Sequence, residues 1–348
     1  MMRTSSFPVV CEHVRRRVGS PTQLVRVDRA ELTEGPGAGS PVLIVRNPEG
    51  ISFEVLLDRA MDIGWADALN MPLAWSAQRG RVASTRYDAA GANWTRTFGG
   101  GLITTCGLAS TGMPSTVDGS EYGLHGRIGH TPAENVTWRF GADDSGPLIE
   151  ITGDVIEAAL GEPTLRLTRT IRAWCDRPVI EMHDVVTNDG FVDAGHMYRH
   201  HINLGYPLID AGSSVSTDAV ALARRGGGAA DPLHTIRMDV AEQVVDESVT
   251  YARSGPTGAL TLTAPHRGVA FAIEWTADTF PLLLAWRDPS PGINVLGIEP
   301  STSRDDGRAE ARQTGELITL APGETRTYRT RMSLLPIVAH ADPNIDDV

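Results

Sequence analysis

The sequence predicts an all-β protein, a sandwich or a barrel. Three observations predict it. Apolar residues recur in short runs, several of them alternating with polar residues at period two. The 36 glycines and 22 prolines fall mostly between those runs, where turns call for them. No segment carries a convincing amphipathic helical period. Many short strands separated by turn signals fit packed or closed antiparallel sheets.

Residues 40–66, "SPVLIVRNPEGISFEVLLDRAMDIGWA", hold two apolar runs around Asn47-Pro48-Glu49-Gly50, a hairpin signal. "PLIEITGDVIEA", "PTLRLTRTIRAWCD" and "PVIEMHDVVTNDG" follow at short spacing. In the second of these, Leu165, Leu167 and Ile171 share one face, and Arg166, Thr168, Thr170 and Arg172 the other. Arg169 breaks the pattern by falling on the apolar side. "YRHHINLGYP" at 198–207 also runs into a strand-like segment. "GALTLTAP", "GVAFAIEWTA", "FPLLLAWRD", "GINVLGIEP" and "GELITLAPGETRTYRTRMSLL" complete the series. "RRGGGAADP", Arg224 to Pro232, reads as a mobile loop, either an Ω-loop or lid or a boundary. There is no internal repeat and no dividing linker. One domain over residues 1–348 is expected, with a frayed tail from about 339.

A hydrophobic content of 41% and a charged content of 21% are those of an ordinary soluble globular chain. The formal net charge of −12 argues against a nucleic-acid or anionic-membrane partner. The chain has no lysine; its 31 basic residues are all arginine. Schiff-base chemistry, lysine-anchored pyridoxal phosphate and the P-loop lysine are therefore excluded. Cys11, Cys106 and Cys175 are widely spaced and odd in number, which fits reduced thiols and a cytoplasmic location better than a disulfide framework. The first residues lack a signal-peptide apolar region, and no run reaches transmembrane length.

On the strand "YRHHINL", Tyr198, His200, Ile202 and Leu204 share one face, and Arg199, His201 and Asn203 the other. The first set is mostly apolar and should face the core. His201 is therefore the better chemical candidate, and His200 reads as a satisfied core histidine. Alternation alone leaves His201 equally a cleft residue or a solvent-facing one. In "EYGLHGRIGH", glycines around Leu124-His125 allow close backbone approach to a ligand, although an ordinary turn also accounts for them. Glu299 ends the strand "NVLGIEP", where a carboxylate suits a site built on a rigid sheet; without a partner it reads as an exposed edge glutamate. Asp58, Arg59 and Asp62 form either a ligand clamp or a structural ion pair. Trp65, Trp75 and Trp286 are candidate sugar-stacking platforms or simple core. A metal site is not expected, because adjacent His200 and His201 face oppositely and strand rise separates His196 from His200. Neither G-x-S-x-G nor G-x-G-x-x-G is present.

The blocks "DRAMDIG", "GGGLITTCGL", "YGLHGR", "HINLGYP", "EQVV", "GIEP" and "LAPGETRTYRTRMSLL" resemble, in this order, the galactose mutarotase (aldose 1-epimerase) superfamily. The closer resemblance is to its uncharacterised aldose 1-epimerase-like branch. It spans roughly Val42 to Leu335. It implies a galactose mutarotase-like β-supersandwich of twisted antiparallel sheets, with a sugar cleft on the concave face. By motif, His201 resembles the catalytic acid and Glu299 the catalytic base. His125 resembles a substrate-positioning histidine, and Arg59 a hydroxyl-binding arginine. Glu242 in "EQVV" stands where the family carries a substrate-binding acid. The segment "HINL" departs from the better-known "NHxYFNL" pattern in spacing, which bears on the substrate more than on the fold.

The activity so implied is interconversion of sugar anomers by acid–base ring opening at C1, with a small-molecule sugar as partner and no cofactor. Arg127, Asn203 and Trp286 complete the expected substrate contacts, and Arg59, Arg127, Arg287 and Arg304 leave an anionic sugar open. A lyase or other glycoside-processing reaction on the same fold, or a carbohydrate-binding module without turnover, are the alternatives.

Overall fold

The computed structural model describes residues 16–337; Cys11 and the tail expected to fray from about 339 lie outside the described residues. The alternating segments form antiparallel strands of two large sheets. The first has eleven strands. From one edge it runs Arg26–Glu31, Pro41–Arg46, Ser52–Leu56, Asp62–Ala68, Ile103–Cys106, Arg199–Leu204, Val295–Ser301, Leu282–Asp288, Ser248–Arg253 and Val220–Arg224, with Met71–Pro72 paired to Asp62–Ala68. The second has eight strands, in the order Ser214–Thr217, Ala259–Ala264, Val269–Trp275, Thr325–Pro336, Val179–Asn188, Leu165–Trp174, Gly146–Glu157 and Ala133–Asp143. Two large antiparallel sheets are what the sequence resemblance implies.

Local signals account for much of it. The turn at Asn47 joins Pro41–Arg46 to Ser52–Leu56, with the Gly50 N–H donating to the Asn47 carbonyl at 3.1 Å. Leu43, Phe53, Ile202 and Ile298 of the first sheet and Ile151, Leu167, Met182 and Phe271 of the second belong to one buried cluster. Each such side chain contributes about 1.5–3 kcal/mol when fully buried.

Arg169, the exception on its apolar face, is wholly buried and ties the sheets together. Its guanidinium donates to both oxygens of Asp184 at 2.9 Å, to Asp62 at 3.0 Å and to Thr105 Oγ1 at 2.8 Å. Burial alone would raise the Asp184 carboxyl, but Arg169 and His200 hold it well below the usual carboxylate range. His200 lies against Asp184 at 2.7 Å and Thr330 at 2.9 Å.

Several elements escape the sequence reading, among them Arg26–Glu31, Ser214–Thr217 and Ser248–Arg253, and two show why. Gly307–Thr314 is an α-helix. It is eight residues long and mostly polar, burying only Gly307 and Ala311, so it shows no apolar stripe. Ala133–Asp143 is an edge strand whose residues are exposed or half-buried throughout, which blurs its alternation. In the segment read as a mobile loop, Arg224 closes a strand. Gly226, Gly227 and Gly228, all at positive φ, turn the chain, and the Gly227 N–H donates to the Arg224 carbonyl at 3.0 Å. Among the described residues, no helix is long and apolar enough to cross a membrane.

Candidate active site

The middle of the eleven-stranded sheet carries a pocket of about 310 Å³. Ile103–Cys106, Arg199–Leu204, Val295–Ser301, Leu282–Asp288 and Ser248–Arg253 are successive neighbours there. Side chains one residue apart point to opposite faces. Ile202, Ile298, Leu283 and Ala285 therefore enter the core between the sheets, while Arg199, His201, Glu299 and Trp286 line the pocket. The alternation read on the strand around His200 and His201 thus separates a core histidine from a pocket histidine. Gly297 leaves room for this arrangement: a Cβ there would lie 2.9 Å from Glu299 Oε1 and 3.0 Å from the Trp286 ring.

His201 Nε2 stands 3.2 Å from Glu299 Oε1. Both side chains are buried, at 4% and 2% exposure. Burial pushes the Glu299 carboxyl up to about 8, against the pull of Arg199. Burial, reinforced by His125 and Arg199, lowers the His201 imidazole well below its usual value. Burial therefore favours the uncharged form of both groups, a protonated carboxyl on Glu299 and a neutral imidazole on His201. Phe98 and Trp286 flank the His201 ring at centroid distances of 5.6 and 5.4 Å.

His125 lies across the pocket, its ring 5.9 Å from that of His201. Burial lowers its pKa to about 4, with Asp305 opposing. Its backbone is left-handed at φ 57°, and its N–H and carbonyl bond the Gly112 carbonyl and the Gly107 N–H at 2.9 and 3.1 Å. Trp94 packs edge-on against its ring at 4.7 Å.

His201, Glu299, His125 and Trp286 therefore meet in one pocket. The other expected site residues do not line it. The Arg59 guanidinium is buried and donates to the carbonyls of Val82, Thr97 and Gly129; its donors hold the chain that presents Phe98. Asn203 donates to the Gly101 and His201 carbonyls at 2.9 and 3.1 Å, bracing the strand rather than facing a ligand. Arg127 is exposed and lines a separate cavity of about 400 Å³ beside Glu157 and Arg308, because the turn at His125 and Gly126 sends it out the other side. Glu242 is exposed and borders another cavity, of about 660 Å³. The acid on this side of the pocket is Glu247, which meets Ser248–Arg253 and accepts from Trp286 Nε1 at 2.7 Å.

Of the tryptophans, Trp75 donates to the Ile293 carbonyl at 2.7 Å behind the pocket, and Trp65 borders a third cavity. Arg287 spends its donors on backbone carbonyls and Asn294, and Arg304 pairs with Glu316. Neither lines the pocket.

Sequence reasoning missed Arg199, Arg225, Asp305, Trp94 and Phe98 as pocket residues. Alternation did place Arg199 beside His201. Nothing local marks Arg225, whose approach depends on the edge hairpin. Among the described residues, no group of three or more His, Cys, Asp or Glu side chains is arranged to hold a metal ion. The site can move a proton between a carboxyl and an imidazole across a ligand lying on aromatic walls.

No curated protein matches the sequence. Among solved structures, the fold is similar to a candidate aldose 1-epimerase from Klebsiella pneumoniae subsp. pneumoniae, at 21% identity over 89% of this chain and 83% of that one, with a TM-score of 0.79. It is similar to a galactose mutarotase-like protein from Clostridium acetobutylicum, at 12% identity over 90% and 99% of the two chains, with a TM-score of 0.64. It is also similar to a galactose 1-epimerase from Lactobacillus acidophilus, at 10% identity over 90% and 99%, with a TM-score of 0.56. Residues 37–334 match the family described as a domain of unknown function, DUF4432, and the chain belongs to that family, on a galactose mutarotase-like fold.

Proposed function

We propose that the protein is an aldose 1-epimerase, interconverting the anomers of a monosaccharide or a close derivative. The observation that carries this reading is the Glu299–His201 pair, two buried groups 3.2 Å apart whose pKa values burial drives in opposite directions. Perturbed titratable groups gathered in a cleft are a mark of acid–base sites. Anomer exchange requires one proton to leave the C1 hydroxyl while another reaches the ring oxygen. The ring opens to the aldehyde, the C1–C2 bond turns and the ring closes on the other face. The pair supplies this with one shared proton: Glu299 as carboxylate takes the hydroxyl proton, and His201 as imidazolium gives one to the ring oxygen. Ring closure runs the same transfers backwards.

Transfer of the shared proton from Glu299 to His201 precedes the step, and polar hydroxyls placed between the two groups favour the charge-separated form. Trp286, Phe98 and Trp94 give apolar walls for the sugar ring's C–H face, and His125 positions a hydroxyl. A volume of about 310 Å³ suits one sugar ring, at the small end of the roughly 300–1,000 Å³ typical of ligand pockets.

The test is NMR magnetisation transfer between anomers over a panel of sugars. Wild-type protein should accelerate exchange, and Glu299→Gln and His201→Asn should each lose about a hundred- to ten-thousand-fold. Full activity of Glu299→Gln on an accepted sugar would overturn the role of the pair. Sugar binding without any acceleration would overturn the reaction.

A further inference from the structure

We propose that Asp305 is a positioning residue that sets the proton affinity of Glu299 by sharing the buried Arg199 guanidinium. The inference rests on the acid–base reading of the pocket and adds to it the group that tunes the base. Arg199 Nη1 lies 2.6 Å from Asp305 Oδ1 and 3.1 Å from Glu299 Oε2. One nitrogen therefore serves two carboxyl groups and sits closer to Asp305. Asp305 Oδ2 in turn accepts from Arg225 Nη1 at 3.0 Å. The result is a row, Arg225–Asp305–Arg199–Glu299, in which the Asp305 carboxylate lies between two guanidinium groups and the Glu299 carboxyl meets His201.

A guanidinium paired with Glu299 alone, and shielded from water, would favour the carboxylate strongly. Such a base binds its proton too weakly to take one from a hydroxyl near neutral pH. Asp305 cancels that pull. It is 2% exposed and stays ionised, since Arg199 holds its carboxyl at about 2 although burial alone would raise it. Glu299 then keeps a proton affinity near the working pH.

Other charged or titratable groups face this centre from every side. His201 comes from the same strand as Arg199. Cys106 lies on the neighbouring strand, its thiol pushed up by burial. His125 stands on the loop, with Nδ1 4.0 Å from Asp305 Oδ1. Glu247 meets Arg225 and Trp286 at the rim, and Tyr251 of Ser248–Arg253, which donates to Asp306 Oδ1 at 3.2 Å, faces Asp305 and Arg199. Among the described residues, Asp305 is the carboxylate besides Glu299 that contacts Arg199, and it is nearly sealed from solvent.

Arg225 supplies a variant at the outer end of the row, where its side chain is 29% exposed. Removing Asp305's charge releases Arg199 to Glu299. Removing Arg225's charge leaves Asp305 wholly to Arg199 and withdraws a cation from Glu299. The two substitutions should act in opposite directions.

The experiment has two readouts. The first is the pH–rate profile of anomer exchange; the second is the carboxyl ¹³C titration of Glu299, assigned by its absence in Glu299→Gln. Asp305→Asn should move the Glu299 titration and the alkaline limb of the profile down by roughly one to three pH units. Arg225→Met should move both up. A titration that stays in place in both variants, or moves the same way in both, overturns the proposal, as does a downward shift with Arg225→Met. Because the ¹³C titration needs no turnover, it stands apart from the reaction assigned above. Shifts of opposite sign without any anomer exchange would defeat that assignment and leave the Asp305 role intact. Exchange that depends on Glu299 but not on Asp305's charge would do the reverse. If Asp305→Asn fails to fold, the Arg225→Met shift alone decides: upward supports the proposal, and none or downward overturns it.

Discussion

Burial pushes the Glu299 carboxyl up to about 8, with Arg199 opposing. In the unfolded chain it would ionise near 4.5. A carboxyl raised in this way contributes stability fully below about pH 4, and the contribution is lost as pH climbs to about 8. Glu299→Gln should therefore gain in melting temperature over wild type as pH rises from 5 to 9. Thermal melts across that range check this, and a constant difference would mean an ordinary titration. His125 runs the other way. Its folded pKa is lowered to about 4, so its contribution is present above roughly 6.5 and falls away as pH drops toward 4. At this scale strand alternation separated His201 from His200, and the family resemblance singled out Glu299 and His125, which the structure places in the same pocket. It was silent on the destinations of Arg59, Asn203 and Arg127. An arginine or asparagine looks the same in sequence whether its donors face a ligand or backbone carbonyls.

The element that does most for the site is the strand Arg199–Leu204, buried on both faces. One face delivers Arg199 and His201 to the pocket. The other delivers His200 to the Asp184–Arg169 network between the sheets. Arg169→Met should cost about 3–5 kcal/mol in urea unfolding, since it strands Asp62 and Asp184 in the core without a counter-charge. The loop bearing His125 is held as tightly. A Cβ on Gly126 would lie 2.2 Å from the Ser110 carbonyl oxygen and 2.4 Å from that of Gly107, at φ 75°. Gly126→Ala should lose anomer exchange and destabilise the fold by at least about 1–3 kcal/mol from backbone strain alone; exchange rates and urea melts report the two effects separately. Most period-two runs with one apolar face were legible as strands, although Ser248–Arg253, which buries Val249 and Tyr251, was not. Ala133–Asp143, exposed or half-buried throughout, and the short polar helix Gly307–Thr314 were not, because neither buries enough apolar surface to impose a period.

Across the whole molecule, charge shapes what the pocket can accept. The chain carries a net −12, and the pocket arginines Arg199 and Arg225 are each already paired with two carboxyl groups. A phosphorylated or acidic sugar would have to displace one of them against a repulsive field. Neutral sugars should therefore bind more tightly than their anionic counterparts at low salt, with the gap narrowing as salt screens the field; titration calorimetry at two ionic strengths measures it. Tight binding of a sugar phosphate with little salt dependence would contradict this.

By itself the sequence determined the all-β class, the strand faces and the separation of His200 from His201, because these follow from local periodicity and side-chain direction. Only the tertiary structure decided which charges meet. Arg225, Glu247, Asp305 and Arg199 come from different strands and loops, and their convergence depends on strand order and register. The same structure places Glu242 and Arg127 in other cavities and buries Glu299 beside a shared guanidinium. A carboxyl's proton affinity is a property of its surroundings, and a sequence does not state what surrounds a residue until the sheets have closed around it.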